Sequence, residues 1–436
     1  MLLLPYLREK NMRPKVIQKI NFYNSIDEDE IYKYQLHKFN QLWQNIQQNV
    51  LYYKDLVHKK KVPKEIKSWD DFTKLPVLDR AYVKRHIDKL TDKTKKPDLW
   101  ITTGGSTGTP LKYPSWKSEA KYYESNIWYA RNFYHIRRSD RMFRLWGHSH
   151  TLGTGFSKYK KMIAFKIGLP LIGYKRFSAY DLSDEQLKIA GEQIVKFKPQ
   201  YIIGYSKTLN MLARANVDKH TLFHQLNLKA VIGAAEGFDK EEDKEFISQV
   251  FGCPVGLEYA SMETKLLAHT HPDGGYRVIW GDNLVECVDE NGDPSENGRV
   301  LVTTLYPRAF PLIRYELGDT ILGTQKSSRH SVYKFNQIKG RNNDFLMLDE
   351  NTPIHSESIT HAIKFSDKVI AYQIRFTEEN NYTIYLKSNY KIEDRDIREI
   401  KQRLAKIDDR LAKLDIKQVE QLKQTIAGKT KWLIKE

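Results

Sequence analysis

The chain of 436 residues carries 71 Lys and Arg against 54 Asp and Glu, a formal charge of +17 at pH 7. A hydrophobic fraction of 40% and an aromatic fraction of 12% exclude a disordered or fibrous chain, and the length exceeds one ordinary compact core. The basic residues are interleaved with acids, as from Lys229 to Lys244, which describes a solvated surface rather than a nucleic-acid-binding arm. Cys253 and Cys287 are too few for a disulfide framework and lack paired zinc spacing. No apolar run is long enough to cross a bilayer and the N-terminus has no secretory pattern, so a cytoplasmic protein without membrane insertion or nucleic acid is expected.

In chain order, apolar residues at helical spacing predict helices over Ile31 to Lys54 and from Asp70 to Asp88. The charged run Asp92 to Asp98 closes that region. Leu99-Trp100-Ile101-Thr102 predicts a short strand feeding a Gly-rich turn, with a long helix to follow from Ser115 to Tyr134. From Arg141 to Ala235 strands and helices alternate: helix Asp184 to Lys198 capped by Ser183, strand Tyr201 to Gly204, helix Ser206 to Ala215, strand Ala230 to Gly233. That rhythm predicts a mostly parallel sheet covered by helices. After Glu263, turn-forming stretches such as Pro272-Asp273-Gly274-Gly275 punctuate short β segments, which predicts an antiparallel sheet or distorted barrel. Beyond Lys339-Gly340-Arg341 a βαβ-like tail carries strands Ala371 to Phe376 and Tyr382 to Lys387 and a charged helix Ile392 to Leu411. The fold class is therefore α/β: a large N-terminal domain over 1–340, with a distorted β-barrel-like part, and a small α+β C-terminal domain over 341–436.

The segment Thr102-Thr103-Gly104-Gly105-Ser106-Thr107-Gly108-Thr109-Pro110 lets backbone N–H groups and hydroxyls converge on phosphate oxygens, and its glycines permit close approach. No Lys follows Gly108 and the spacing is not G-x-G-x-x-G, so neither common nucleotide loop applies. Alone it supports phosphate binding, with a surface turn as its alternative. The segment resembles the phosphate loop of the adenylate-forming superfamily of acyl-CoA synthetases, peptide-synthetase adenylation domains and luciferases.

Further segments occur in that family's order. Gly233-Ala234-Ala235-Glu236-Gly237 is similar to the stretch whose backbone lines adenine, and Glu258-Tyr259-Ala260-Ser261-Met262-Glu263-Thr264 to the segment whose Tyr stacks on adenine and whose Glu binds magnesium. Arg314-Tyr315-Glu316-Leu317-Gly318-Asp319 resembles the segment whose Asp accepts from ribose hydroxyls. Lys339-Gly340-Arg341-Asn342-Asn343-Asp344 resembles the interdomain hinge, with Arg341 on the nucleotide, which implies that the small C-terminal domain is mobile. Thr425-Ile426-Ala427-Gly428-Lys429 resembles the loop whose Lys reaches into the site. Phe251-Gly252-Cys253-Pro254-Val255 points to the branch of phenylacetate-CoA ligases and CapK-type capsular polysaccharide proteins.

The resemblance implies an ATP-dependent enzyme in which Lys429, Glu263 and Thr107 are catalytic and Glu263 holds Mg²⁺. It implies a nucleotide site of Thr102, Thr103, Gly104, Gly105, Ser106, Thr107, Gly108, Ala234, Ala235, Glu236, Glu258, Tyr259, Ala260, Ser261, Met262, Asp319 and Arg341. The expected partners are a small carboxylic acid and an acceptor, which is CoA, a carrier-protein thiol or an amino sugar, with a homodimer as the oligomeric expectation. Ala260, Met262 and Asn343 depart from the family pattern, so a catalytically reduced nucleotide-binding relative stands as the alternative, with a nucleic-acid-binding protein behind it. His148 and His150 read equally as loop histidines and as contacts to a polar acyl group. His269 and His271 lack the C-x-x-C partner that a zinc site needs.

Overall fold

The computed structural model describes residues 3–103, 111–146, 169–179, 183–235, 237–238, 241–339, 345–349, 352–363, 368–377, 381–388, 390–423 and 432–435. The N-terminal region is helical: α1 (Leu3–Asn24), α2 (Ile31–Asn49), α3 (Leu51–His58), α4 (Trp69–Thr73) and α5 (Arg80–His86). The helix expected over Ile31 to Lys54 is broken at Val50, which is extended and bridges to Asp92. The one expected from Asp70 to Asp88 is two short helices separated by Leu75-Pro76-Val77-Leu78, since the residue before a proline avoids helical geometry.

β1 (Leu99–Thr102) pairs antiparallel with β2 (Lys112–Ser115), so the Gly-rich segment joins two arms of a hairpin. The helix expected from Ser115 begins later, as α6 (Ala120–Arg131), because β2 takes the first residues.

A nine-stranded sheet forms the centre. Its parallel half runs in the order β4 (Tyr174–Ser178), β3 (Met142–Trp146), β5 (Tyr201–Tyr205), β6 (Ala230–Ala234), β7 (Val255–Ser261). Every residue of β5 and β6 is buried, as expected of strands covered on both faces. Helices Asp184–Phe197, Ser206–Ala215 and Glu241–Phe251 supply one cover, packing Leu187, Leu209, Leu212 and Ile247 on Phe143, Leu145, Ile202 and Val231. At β7 the sheet turns antiparallel, through β8 (Lys265–Thr270) and β9 (Tyr276–Val278) to two further strands, Val332–Phe335 and Gln325–Lys326.

The part expected to be barrel-like is an open antiparallel sheet of Asn283–Val288, Gly298–Thr304, Tyr315–Leu322 and Gln337–Lys339. Past residue 345 a second four-stranded sheet contains Val369–Phe376, Tyr382–Ser388, Asp415–Val419 and Leu433–Lys435. The charged helix expected there ends at Ala405, and a short helix, Asp409–Ala412, follows after Asp408 accepts from the Arg410 amide at 2.8 Å. Among the described residues no helix is long and apolar enough to cross a membrane.

Candidate active site

Thr103 is the last described residue before the Gly-rich loop. It is buried, its amide donates to the Leu111 carbonyl at 2.9 Å, and its Oγ1 accepts from the Leu111 amide at 3.0 Å. This double tie carries the β1–β2 ladder one residue further and fixes where the loop departs. Gly104, Gly105, Ser106, Thr107, Gly108, Glu236, Arg341, Asn343, Lys429, His148 and His150 lie outside the described residues.

The second anchor is Arg80, which sequence reasoning missed. It opens α5, whose N-cap Asp79 accepts from the Tyr82 amide at 2.6 Å. One guanidinium nitrogen donates to Thr103 Oγ1 at 2.6 Å and another to Glu263 Oε1 at 3.0 Å. A cation at a helix N-terminus opposes the helix dipole. That misplaced charge was the available signal, and the carboxylate it needs lies 183 residues away.

Glu263 sits in the turn between β7 and β8. Ser261 pairs with Lys265, whose backbone φ of +60° reverses the chain, and Ser261 Oγ accepts from the Thr264 amide at 3.0 Å. Tyr113 from β2 donates to the Met262 carbonyl, and Tyr315 donates to Glu263 Oε1 at 3.5 Å. The Met262 side chain is 45% exposed and turned away from these contacts. Both bonds to Glu263 fall on Oε1, leaving Oε2 without a hydrogen bond among the described residues. Magnesium prefers hard oxygens, mainly phosphates and water with one or two carboxylates. A single open carboxylate oxygen in the turn after β7 fits that donor set.

Positive charge surrounds this turn. The Lys265 amine is pulled down to about 8, by burial first and then by Arg308, while Glu119 and Glu263 oppose the shift. Arg308 is itself buried, with Glu119 Oε2 at 3.5 Å.

Tyr259 and Asp319 meet directly, the phenol donating to Asp319 Oδ2 at 2.9 Å. Strand alternation turns Glu258 the other way, where Arg131 of α6 donates to its Oε1 at 2.8 Å. Burial alone would raise the Glu258 carboxyl, but Arg131, His269 and Arg144 outweigh it and hold the group below the ordinary carboxylate range. Ala234 pairs with Glu258 in register, and Ala235 follows at φ +70°. A non-glycine residue in that region is strained, and such strain concentrates at functional strand ends. Ala260 is exposed at a register shift beside Tyr259.

Arg314 holds the frame together. It bonds both oxygens of buried Glu286 at 3.1 Å and donates to the carbonyls of Thr73 and Leu75 at 2.8 and 2.9 Å. Leu78 is strapped to the same strand, its amide donating to the Arg314 carbonyl at 3.1 Å, which sets Arg80 opposite Glu263.

No family model matches the chain. The sequence is 24% identical over 374 residues to the protein CapK of Staphylococcus aureus, covering 82% of this chain and 78% of that protein. By shape, it matches 2-hydroxyisobutyryl-CoA ligase solved in its thioesterification state with 2-HIB-AMP and CoA: TM-score 0.58, 16% identity, 93% of this chain and 90% of that one. The open conformation of the same ligase gives a TM-score of 0.54 at 15% identity, over 92% and 91% of the two chains.

The chain has the acyl-CoA ligase fold. The resemblance to the adenylate-forming superfamily and its CapK-like branch is borne out on both sides, since the sequence relative is CapK and the structural neighbours are acyl-CoA ligases. Within that fold, Thr103, Glu263, Ala234 and Ala235 stand at strand ends or turns, where open α/β sheets bind ligands, while Tyr259 lies near the end of β7 and Asp319 lies within the strand Tyr315–Leu322 of the antiparallel sheet. Glu258 lies behind them in its ion pair with Arg131.

Proposed function

We propose that the protein activates a carboxylic acid with ATP, releasing pyrophosphate, and passes the acyl group to CoA or another thiol or amine acceptor, in surface-polysaccharide assembly. The observation that supports this most is the meeting of Thr103, Arg80 and Glu263 at one point and of Tyr259 and Asp319 at another, in a chain with the acyl-CoA ligase fold.

In this reading Asp319 accepts from the ribose hydroxyls, Tyr259 covers the purine, and Ala234 and Ala235 offer backbone groups to its edge. The loop from Thr102 to Thr109, with Thr107 among its donors, cradles the departing phosphates while Arg80 and Lys265 offset their charge. The acid's carboxylate oxygen attacks the α-phosphorus, and the bond to the pyrophosphate oxygen breaks as the acyl–phosphate bond forms. Lys429, brought by a domain over 341–436 that turns about Arg341 to Asp344, steadies the charge developing there. Magnesium, held on Glu263, would neutralise the phosphate oxygens.

The test is acid-dependent exchange of labelled pyrophosphate into ATP across a panel of carboxylic acids. Exchange with at least one acid is expected, falling about 100-fold or more in Lys429→Ala. Silence with every acid, in a protein that still binds ATP, would leave a nucleotide-binding module instead.

A further inference from the structure

On the face of the parallel sheet opposite Phe143 and Leu145, Arg144 and Trp146 of β3 share a surface with Tyr201, Ile203 and Tyr205 of β5. Trp146 stacks on Tyr205 with ring centroids 4.4 Å apart, and the Arg144 guanidinium lies 4.4 Å from the Trp146 centroid. Arg176 of β4 is the register partner of Arg144. Arg131 enters the same region from α6.

Among the described residues the acid that acts on Arg144 is Glu258, and Arg131 already holds it at 2.8 Å. The Arg144 Nε is buried and has no hydrogen-bond partner among the described residues. In sequence, the stretch from Arg141 to Tyr180 holds Arg141, Arg144, Lys158, Lys160, Lys161, Lys166, Lys175 and Arg176 and no Asp or Glu, with Asp140 and Asp181 at its two ends. Arg144 is half-buried and shares Glu258 with Arg131, so its charge is only partly met by the described residues, and a partly desolvated guanidinium of that kind favours an anion beside it. Resting against an aromatic ring occupies the face of the guanidinium and leaves its in-plane terminal N–H groups for a carboxylate.

We infer that Arg144, with Trp146 and Tyr205 beside it, binds a second anionic group on the acid that this protein activates, so that its substrates are dicarboxylic or similarly doubly acidic compounds. The inference rests on the acid-activating reading above and narrows it. Strands β3 and β7 are three strand spacings apart, roughly 14 Å. The distal anion is therefore read on one part of the sheet edge while the reacting carboxylate meets ATP near the Tyr259 to Glu263 turn.

The test is pyrophosphate exchange with matched pairs whose chain lengths rise to this spacing: hexanoate with adipate, octanoate with suberate, dodecanoate with dodecanedioate. In at least one pair kcat/KM for the diacid is expected to exceed that for the monoacid by roughly tenfold or more, and Arg144→Met to bring the ratio to about one, with Arg144→Lys between. A wild-type ratio of one or below in every pair, or a ratio untouched by Arg144→Met, overturns this inference while leaving acid activation standing. Exchange with no acid at all counts against acid activation itself. Calorimetric titration with adipate then decides the anion site: Arg144-dependent binding upholds it, and equal binding or none by wild type and Arg144→Met overturns it.

Discussion

Arg80 shows how one side chain makes two distant motifs into one site. Its planar fork bonds Thr103 Oγ1 and Glu263 Oε1 at once, which a lysine's single ammonium cannot reproduce with the same geometry. Arg80→Ala is expected to lower pyrophosphate exchange by about 10- to 100-fold, with Arg80→Lys recovering only part of the loss. Melting temperature serves as the control, since an effect on exchange through unfolding alone would move both together. Thr103, Tyr259, Glu263 and Asp319 could be singled out in the sequence because each sits in a short segment with its own chemistry, and the structure brings Thr103 near Glu263 through Arg80 and Tyr259 to Asp319. Arg80 could not be singled out this way, because its meaning lies in partners 23 and 183 residues away. The pairing of Glu258 with Arg131 was hidden for a related reason. A motif gives its neighbours in sequence, whereas strand alternation sends Glu258 and Tyr259 to opposite faces.

At the scale of elements, periodicity located the parallel strands and the helices over them, because buried apolar runs bounded by turns leave few alternatives. It failed where long-range pairing took residues out of helices: Val50 bridges to Asp92, and Lys112–Ser115 pairs with Leu99–Thr102. The tie between α6 and β7 is similarly invisible in sequence, yet it carries a pH signature. The Glu258 carboxyl binds its proton more weakly in the folded chain than in the unfolded one. The stability it contributes is therefore fully present above the ordinary carboxylate value of 4.5 and is lost as pH falls through the lower folded value. Glu258→Gln leaves the Arg131 charge buried and unpaired, which costs about 3–5 kcal/mol at neutral pH. In urea melts the gap between wild type and Glu258→Gln should be widest near pH 7 and should close below pH 4.5. A gap that stays constant with pH would show that the pair contributes through packing rather than charge.

For the whole molecule, the change of texture near Lys339 predicts a boundary, and we propose that the division of the hydrophobic clusters reflects it. Leu346, Ile359, Ile374, Ile400, Leu404 and Trp432 belong to a core made only of residues beyond 345, while the other hydrophobic clusters contain nothing later than Ile338. Among the described residues the cluster beyond 345 shares no side chain with the four before it, so the two regions are expected to unfold as two units, and a turn of one against the other disturbs neither interior. On the proposed mechanism the groups are divided too: Thr103, Arg80, Glu263, Tyr259 and Asp319 stand on one side of the boundary and Lys429 on the other. A chain ending at Lys339 should therefore melt cooperatively and still bind ATP, as calorimetry would register. Its pyrophosphate exchange should fall by at least as much as in Lys429→Ala, about 100-fold. If the shortened chain binds no ATP while remaining folded, the nucleotide site draws on residues beyond 340, and the division of labour between the two domains is wrong.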